Sequence, residues 1–266
     1  MNLITLRNHV TIHGQGSQVI VMAHGFGCDQ TLWWPLVKHF ETQYKIILFD
    51  YVGAGQSDLT AYNSSKYDCL QGYAQDVLEV IESMQLQKVI FIGHSVSSMI
   101  GLHAALIKPE FFEKIIMIGP SPYYINEVNY HGGFERNEIE ELLTTMEMNF
   151  ADWASYMAPV AIDEPSDSDL SKGLEQCFVS TNPKIARQFA EVTFFSDTRP
   201  YLSELQIPTL IMQCANDSIV PVEVGHYLHE KISESELVVL NTRGHYPHVS
   251  EPKLTADIIQ QYLQKI

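Results

Sequence analysis

Residues 90–102, "IFIGHSVSSMIGL", join two apolar runs through a short polar turn. The run before the turn has the β-branched and aromatic residues of a buried strand, and the run after it predicts an almost wholly apolar helix over residues 96–107. Gly93 and Ser97 stand two places either side of Ser95. The stretch therefore predicts a tight strand-to-helix turn with a serine at its tip.

Apolar runs elsewhere in the chain alternate with helical patterns. Strands are predicted at "QVIVMAHG", "YKIILFDY", "KIIMIGPS", "TLIMQCAND" and "SELVVL", and helices at "LQGYAQDVLEVIESM", from about Val222, and at "LTADIIQQYL". The first 25 or so residues, which include "NLITLRNHVTIHG", are predicted as short strands because apolar and polar residues alternate. This order predicts an α/β fold whose mostly parallel, twisted sheet carries helices on both faces.

The segment from about 122 to 197 contains helical patterns and no strand candidate. We therefore predict a core made of residues 1–121 and 198–266, with residues 122–197 inserted as a helical cap, or lid, over one edge of the sheet.

Two helix starts in this cap carry capping signals. Asn137 and Glu140 have the spacing of a capping box in "NEIEELLTTM". Asn182 is a predicted N-cap, with Pro183 at the first helical position.

A G-x-S-x-G turn between a strand and a helix is the nucleophile elbow of α/β-hydrolases. Its strained geometry lifts the serine hydroxyl above the sheet, and only small side chains fit two places either side. Ser97 replaces the second glycine here; we expect it to be tolerated, with some effect on packing, and to bond back into its own helix. The alternative for Ser95 is an ordinary helix N-cap serine.

A serine hydroxyl needs a base, and the base needs an acid that holds its tautomer. In this fold they follow in the order serine, acid, histidine. Asp217 stands just past a buried strand, and His245 stands just past the last strand. The predicted catalytic residues are therefore Ser95, Asp217 and His245. His248 is a rival base, with a supporting or surface position as its alternative.

The loop "HGFG", residues 24–27, follows the strand "VIVMA". Its glycines free the backbone to turn toward the serine. The backbone N–H groups of Phe26 and Val96 are the predicted oxyanion hole, and His24 is expected to fix the loop by hydrogen bonding rather than to act as a catalyst.

The composition of the chain limits the classes of partner that we expect it to bind. With 32 acidic and 16 basic side chains the formal charge is −16, which disfavours nucleic acid and anionic membranes. The four cysteines contain no C-x-x-C pair and indicate reduced thiols. We find no signal peptide and no stretch long enough to span a bilayer, and so expect a cytoplasmic protein.

No cofactor and no metal are expected. "DYVGAGQSD" lacks the third glycine of a dinucleotide loop. His226 and His229 share a helix face but have no third ligand at a suitable spacing.

Seven stretches carry a resemblance to a known family: "HGFGCDQ", "ILFDYVGAGQSDL", "GYAQDVLEV", "GHSVSSMIGL", "GPSPYYIN", "NPKIARQFAEVTFFSD" and "RGHYPHVSEP". Through them the chain resembles the RsbQ-type branch of the α/β-hydrolases. That branch includes a bacterial regulator of the general-stress sigma factor, sigma-B, and the strigolactone and karrikin receptors of plants. Ser97 matches the plant form, whereas the bacterial regulator has glycine there.

The resemblance implies a V-shaped cap of four helices over an apolar pocket, with the predicted triad at its floor. It implies slow hydrolysis of a small, mostly apolar ester or lactone in the service of stress signalling, and a PAS-domain serine phosphatase as a candidate partner. The candidate pocket residues are Phe26, Tyr124, Phe134, Leu142, Trp153, Met157, Phe194 and Phe195; core packing is the alternative for each.

Two other functions remain open. The chain is alternatively a ligand-binding signalling module that recruits a phosphatase or another protein, with little or vestigial hydrolysis. The same triad also hosts cofactor-free perhydrolases and C–C bond hydrolases.

Overall fold

A computed structural model describes residues 2–265 of the chain. Its centre is a seven-stranded sheet with the strand order β1-β3-β2-β4-β5-β6-β7, in which β1 pairs antiparallel with β3 and every other pairing is parallel. The strands are β1 Thr11–His13, β2 Gln18–Ala23, β3 Tyr44–Phe49, β4 Val89–His94, β5 Phe112–Ile118, β6 Thr209–Asn216 and β7 Ser235–Arg243.

Helices cover both faces of the sheet. The α-helices within residues 2–265 are α1 Leu3–Arg7, α2 Trp34–Val37, α3 Leu70–Ser83, α4 Val96–Ile107, α5 Arg136–Met148, α6 Phe150–Ile162, α7 Asp169–Ser180, α8 Pro183–Phe195, α9 Val222–Lys231, α10 Pro247–Ser250 and α11 Pro252–Leu263. The predicted fold class, an α/β-hydrolase fold with a mostly parallel sheet, is confirmed.

Alternate side chains of the central strands point to opposite faces of the sheet and pack into two separate cores. Val21 and Phe91 join α3 and α4 in one core, whereas Ile20 and Ile90 join α2 and α11 in the other. Because both faces are buried, these strands are continuously apolar, which is why they were recognisable in the sequence.

Four helices, α5 to α8, stand between β5 and β6. They pack as two pairs, α5 with α8 and α6 with α7. The predicted helix starts at Asn182 and Pro183 are confirmed, because the Asn182 side chain accepts the N–H groups of Lys184 and Ile185. The division into a core (1–121 and 198–266) and a cap (122–197) stays a prediction.

Two local predictions were wrong. Leu3–Arg7 is a helix rather than a strand, because the Asn2 side chain accepts the N–H of Ile4 and starts a helical turn. Helix α5 begins before Asn137, and its capping box uses Glu135 and Glu138, where the Glu135 N–H donates to Glu138 Oε2 over 2.7 Å. The carboxylate of Glu135 is the acceptor at the N-cap, and Asn137 lies inside the helix.

Candidate active site

Ser95 forms the turn between β4 and α4. Its backbone has φ 55° and ψ −124°, in the left-handed range that side chains disfavour, and its N–H donates to the Ile118 carbonyl over 2.8 Å. This strained turn stands at the carboxyl ends of the parallel strands and is the geometry of a nucleophile elbow.

The loops after β6 and β7 are joined to each other at their base. Asn216, the last residue of β6, accepts the N–H of Gly244 over 2.8 Å. The N–H of the next residue, His245, donates to the carbonyl of Ala161 in α6 over 2.7 Å. Asp217 and His245 are therefore placed side by side, and the backbone of His245 is anchored to the helical insertion.

The three residues predicted as catalytic lie in hydrogen-bonding contact. His245 Nε2 is 2.8 Å from Ser95 Oγ, and His245 Nδ1 is 2.8 Å from Asp217 Oδ2. A carboxylate only accepts, so the ring carries its proton on Nδ1 and presents a free Nε2 lone pair to the serine hydroxyl. This arrangement can take a proton from Ser95.

Asp217 is fixed on its other side by backbone groups. Its Oδ1 accepts the N–H groups of Ile219 and Val220 over 2.8 and 3.0 Å, and Gln213 Nε2 lies 3.4 Å from Oδ2. Because Oδ1 already holds two donors, Oδ2 is the oxygen left to face His245.

His248, the rival base, is buried rather than on the surface, so the surface alternative was wrong. Its ring lies between Trp33 and His94, with centroid distances of 4.5 and 4.4 Å. Burial, with a smaller effect of nearby His245, lowers the pKa of His248 to about 3. It is a neutral packing residue.

His94 is a contact that the sequence analysis missed. Its Nε2–H donates to the His245 carbonyl over 2.9 Å. Burial and the neighbouring histidines hold the pKa of His94 well below its usual value, so the ring stays neutral. His94 is part of the elbow sequence "GHS", but the sequence pattern does not indicate that its ring contacts His245.

The loop of residues 24–27 approaches Ser95 as expected. Phe26 lines the same cavity as Ser95, and its ring makes edge-on contacts with Trp153, Phe189 and Phe194 at 5.8 to 6.3 Å. Val96 is the first residue of α4, and the first N–H groups of a helix have no partner within it. Phe26 and Val96 both lie next to Ser95, one across the cavity and the other along the chain, and the oxyanion-hole role of their N–H groups stays a prediction.

A cavity next to Ser95, the Ser95 cavity, has a volume of about 40 Å³. That is room for about three waters. Six predicted residues line it: Phe26, Tyr124, Leu142, Trp153, Met157 and Phe194. Tyr124 also places its hydroxyl 3.3 Å from Ser95 Oγ, and burial raises its pKa to about 12.

Two predicted pocket residues lie elsewhere. Phe134 packs edge-on against Phe194, and Phe195 lies under the Arg136 guanidinium in a groove between α5 and α8. Among residues 2–265, the lining instead includes residues that the sequence analysis did not single out: Ala161, Phe178, Thr193, Ile219 and Tyr246. Consecutive helix residues point in different directions, so Phe195 could not follow Phe194 into the cavity.

The chain is similar to known proteins of the α/β-hydrolase fold. The model of the α/β-hydrolase fold family matches residues 18–164. A karrikin insensitive 2 receptor from Petunia hybrida is 35% identical over 264 residues, 99% of this chain and 98% of the receptor. A strigolactone esterase from Arabidopsis thaliana is 34% identical over 258 residues, 97% of this chain and 96% of the esterase.

A solved structure of a hydrolase from Oleispira antarctica matches with a TM-score of 0.96 at 39% identity, covering 99% of this chain and 97% of that one. The chain belongs to the α/β-hydrolase fold family, and it is a hydrolase of esterase-like type. The predicted family and enzyme class are confirmed. No helix within residues 2–265 is both long and apolar enough to cross a membrane.

Proposed function

We propose that the chain is a serine hydrolase that cleaves a small, mostly apolar ester or lactone through Ser95, His245 and Asp217. The observation that carries this proposal is the unbroken pair of 2.8 Å contacts from the Ser95 hydroxyl through the His245 ring to the Asp217 carboxylate. The strained backbone at Ser95 supports it, because such strain is retained where a fold needs an exposed nucleophile.

The reaction follows from the proton positions. Ser95 Oγ attacks the substrate carbonyl carbon while its proton passes to His245 Nε2, and the carbonyl becomes a tetrahedral oxyanion. The C–O bond of the ester then breaks, His245 returns the proton to the leaving alkoxide, and an acyl-serine remains. Water attacks that ester with His245 again as base, which releases the acid and restores Ser95. Asp217 holds the ring and stabilises its charged form.

The oxyanion is assigned to the backbone N–H groups of Phe26 and Val96. One comes from the loop after β2 and the other from the first turn of α4, whose dipole also favours negative charge. Loss of one such donor typically lowers the rate by about 10²- to 10³-fold.

The substrate class follows from the lining of the Ser95 cavity. Its walls are mainly aromatic and aliphatic, and its polar groups include Ser95, Tyr124 and His245. The formal charge of −16 also disfavours an anionic substrate. The Ser95 cavity has room for only about three waters, and we propose that helices α5 to α8, acting as a cap, shift or repack when an ester binds.

The test is covalent labelling with a fluorophosphonate, followed by peptide mapping. We expect one adduct, on Ser95, that is lost in Ser95→Ala and His245→Ala. Ser98→Ala is a matched control, because Ser98 is a buried serine in α4, just after the elbow, whose hydroxyl donates to Gly93 rather than to His245. The Ser98→Ala variant should still be labelled on Ser95. Labelling of another residue, or none, would refute the proposal.

A regulatory output is the second candidate, favoured because the relatives include a protein named as a receptor. In this form the chain senses its ligand and signals to a protein, for which a PAS-domain serine phosphatase is the proposed partner in a stress response. Ser95→Ala separates the two. If the variant binds ligand in calorimetry and still signals, hydrolysis is dispensable; if signalling is lost while binding remains, hydrolysis is the signal.

A further inference from the structure

The elbow has two small positions, and they face different surroundings. A Cβ on Gly93 would lie 2.6 Å from both the carbonyl carbon and oxygen of Ser97, so glycine is required where the strand meets the helix backbone. The side chain of Ser97 points instead toward the loop of residues 24–27. The sequence-based expectation that it bonds into its own helix is therefore wrong, and it is Ser98 that donates back to Gly93.

Ser97 Oγ donates to the backbone carbonyl of His24 over 2.5 Å. That bond uses the only proton on the serine hydroxyl, so the Tyr51 hydroxyl, 2.9 Å away, must donate to Ser97. Ser97 and Tyr51 are both almost fully buried, and burial raises the pKa of Tyr51 far above its usual value. Tyr51 is thus a permanent donor that fixes the direction of the Ser97 hydroxyl.

The ring of His24 completes the network. The N–H of Tyr51 donates to His24 Nε2 over 3.3 Å, which places the ring proton on Nδ1, and Nδ1–H donates to the Gly25 carbonyl over 2.9 Å. The expectation that His24 fixes the loop by hydrogen bonding agrees with these contacts. Hydrogen bonds thus fix both the backbone carbonyl and the ring of His24, which precedes Phe26 by two residues.

We propose that Ser97, oriented by Tyr51, is a positioning residue that sets the spacing of the oxyanion hole. It adjoins Val96 in α4 and binds the loop that carries Phe26, so one hydroxyl couples the two backbone donors. This inference rests on the proposed function. It assigns a role to the position at which the chain departs from the common elbow motif, where a glycine would leave the His24 carbonyl without this donor.

The test is Ser97→Ala, which keeps the backbone and Cβ and removes the hydroxyl. We expect kcat to fall about tenfold with KM unchanged. A displacement of the donor by a fraction of an ångström weakens its hydrogen bond to the oxyanion of the transition state more than any contact with the bound substrate. The inhibition constant of a trifluoromethyl ketone, whose adduct with Ser95 carries an oxyanion, should rise by a similar factor. Tyr51→Phe should give a smaller change in the same direction, since Ser97 keeps its bond to His24.

Thr209→Val is the matched control for losing a buried hydroxyl that donates to a backbone carbonyl, here that of Ile207 far from Ser95. It should leave kcat and the inhibition constant at wild-type values. Wild-type kcat and inhibition constant in Ser97→Ala would overturn the inference, as would an equal loss in Thr209→Val. If Ser97→Ala does not fold, Tyr51→Phe decides alone. Absence of Ser95 labelling in the wild type would instead count against the proposed function.

Discussion

The imidazole Nε2–H of His94 donates to the backbone carbonyl of His245, 151 residues later in the chain, over 2.9 Å. On the other side of the ring, a Cβ on Gly25 would lie 2.5 Å from His94 Nδ1. His94 itself precedes Ser95. One buried ring therefore touches the three segments that carry the proposed nucleophile, the proposed base and the proposed oxyanion hole.

The first prediction concerns His94→Phe, which keeps a flat ring but removes the donor. The carbonyl of His245 then loses its buried partner, at a cost of about 1–3 kcal/mol in the free energy of unfolding measured in urea. We also expect kcat to fall about tenfold with little change in KM, because the base is held less closely against Ser95.

His94→Gln is the conservative control. Its amide N–H can reach the same carbonyl, so it should recover most of kcat and most of the stability lost in His94→Phe. Equal activity in His94→Phe and the wild type would show that the contact does not position His245.

The second prediction is that Asp217→Asn lowers kcat by about 10⁴-fold. Asp217 Oδ1 accepts two backbone N–H groups, so the amide oxygen of asparagine must occupy that place and its NH₂ must face His245. An amide donor there forces the ring proton onto Nε2, which can no longer accept the proton of Ser95. The measurement is kcat on a p-nitrophenyl ester, with circular dichroism as the check on folding. A loss below tenfold would contradict the assigned orientation.

Much of the site could be predicted because its parts lie at the ends of recognisable strands. Ser95 and Asp217 follow buried strands and His245 follows the edge strand β7, and the order of the three residues along the chain suggests their proposed roles. The contacts of His94 and Ser97 could not be predicted, since both reach a different loop across the sheet edge. Nothing in local sequence specifies which carbonyl a buried donor will meet.

The fold was predictable to the same degree and for the same reason. Strands that are buried on both faces are easily recognised in the sequence by their continuous apolar runs. The amphipathic cap helices and the exposed first helix are harder to predict, because their bounds depend on N-cap residues and on packing partners. Helix α1 has no buried residue, so its short pattern could not be told from an alternating strand. Which cap residues line the Ser95 cavity depends on how α6 and α8 rotate about their axes, which packing decides.

The third prediction is a pH effect on stability that originates in His248. The folded pKa of about 3 lies below the ordinary value of 6.5, so below pH 6.5 the unfolded chain binds a proton that the folded chain does not. Stability is therefore complete above pH 6.5 and falls on acidification toward pH 3. Between pH 6.5 and 4.5 this one group removes about 2 kcal/mol.

His248→Phe keeps a ring against Trp33 and cannot titrate. Its free energy of unfolding should fall less steeply than that of the wild type over this interval, by about 2 kcal/mol. His131→Gln, at an exposed position, should follow the wild-type slope. Parallel curves for the wild type and His248→Phe would refute the assignment.

The last prediction compares two glycines whose surroundings differ: Gly93, near the end of β4, and Gly173, inside α7. Gly93→Ala places a Cβ 2.6 Å from the backbone of Ser97, where no flexible side chain can yield, so strand and helix must separate. We expect a loss of about 1–3 kcal/mol in the free energy of unfolding and a severe loss of hydrolysis, because Ser95 moves with the elbow. Gly173, inside α7, has no heavy atom within 4 Å of the added Cβ, so Gly173→Ala should stabilise by about 0.5–1 kcal/mol and leave kcat unchanged. Urea unfolding and ester hydrolysis of both variants provide the check, and a Gly93→Ala protein with normal kcat would contradict the close approach on which the elbow depends.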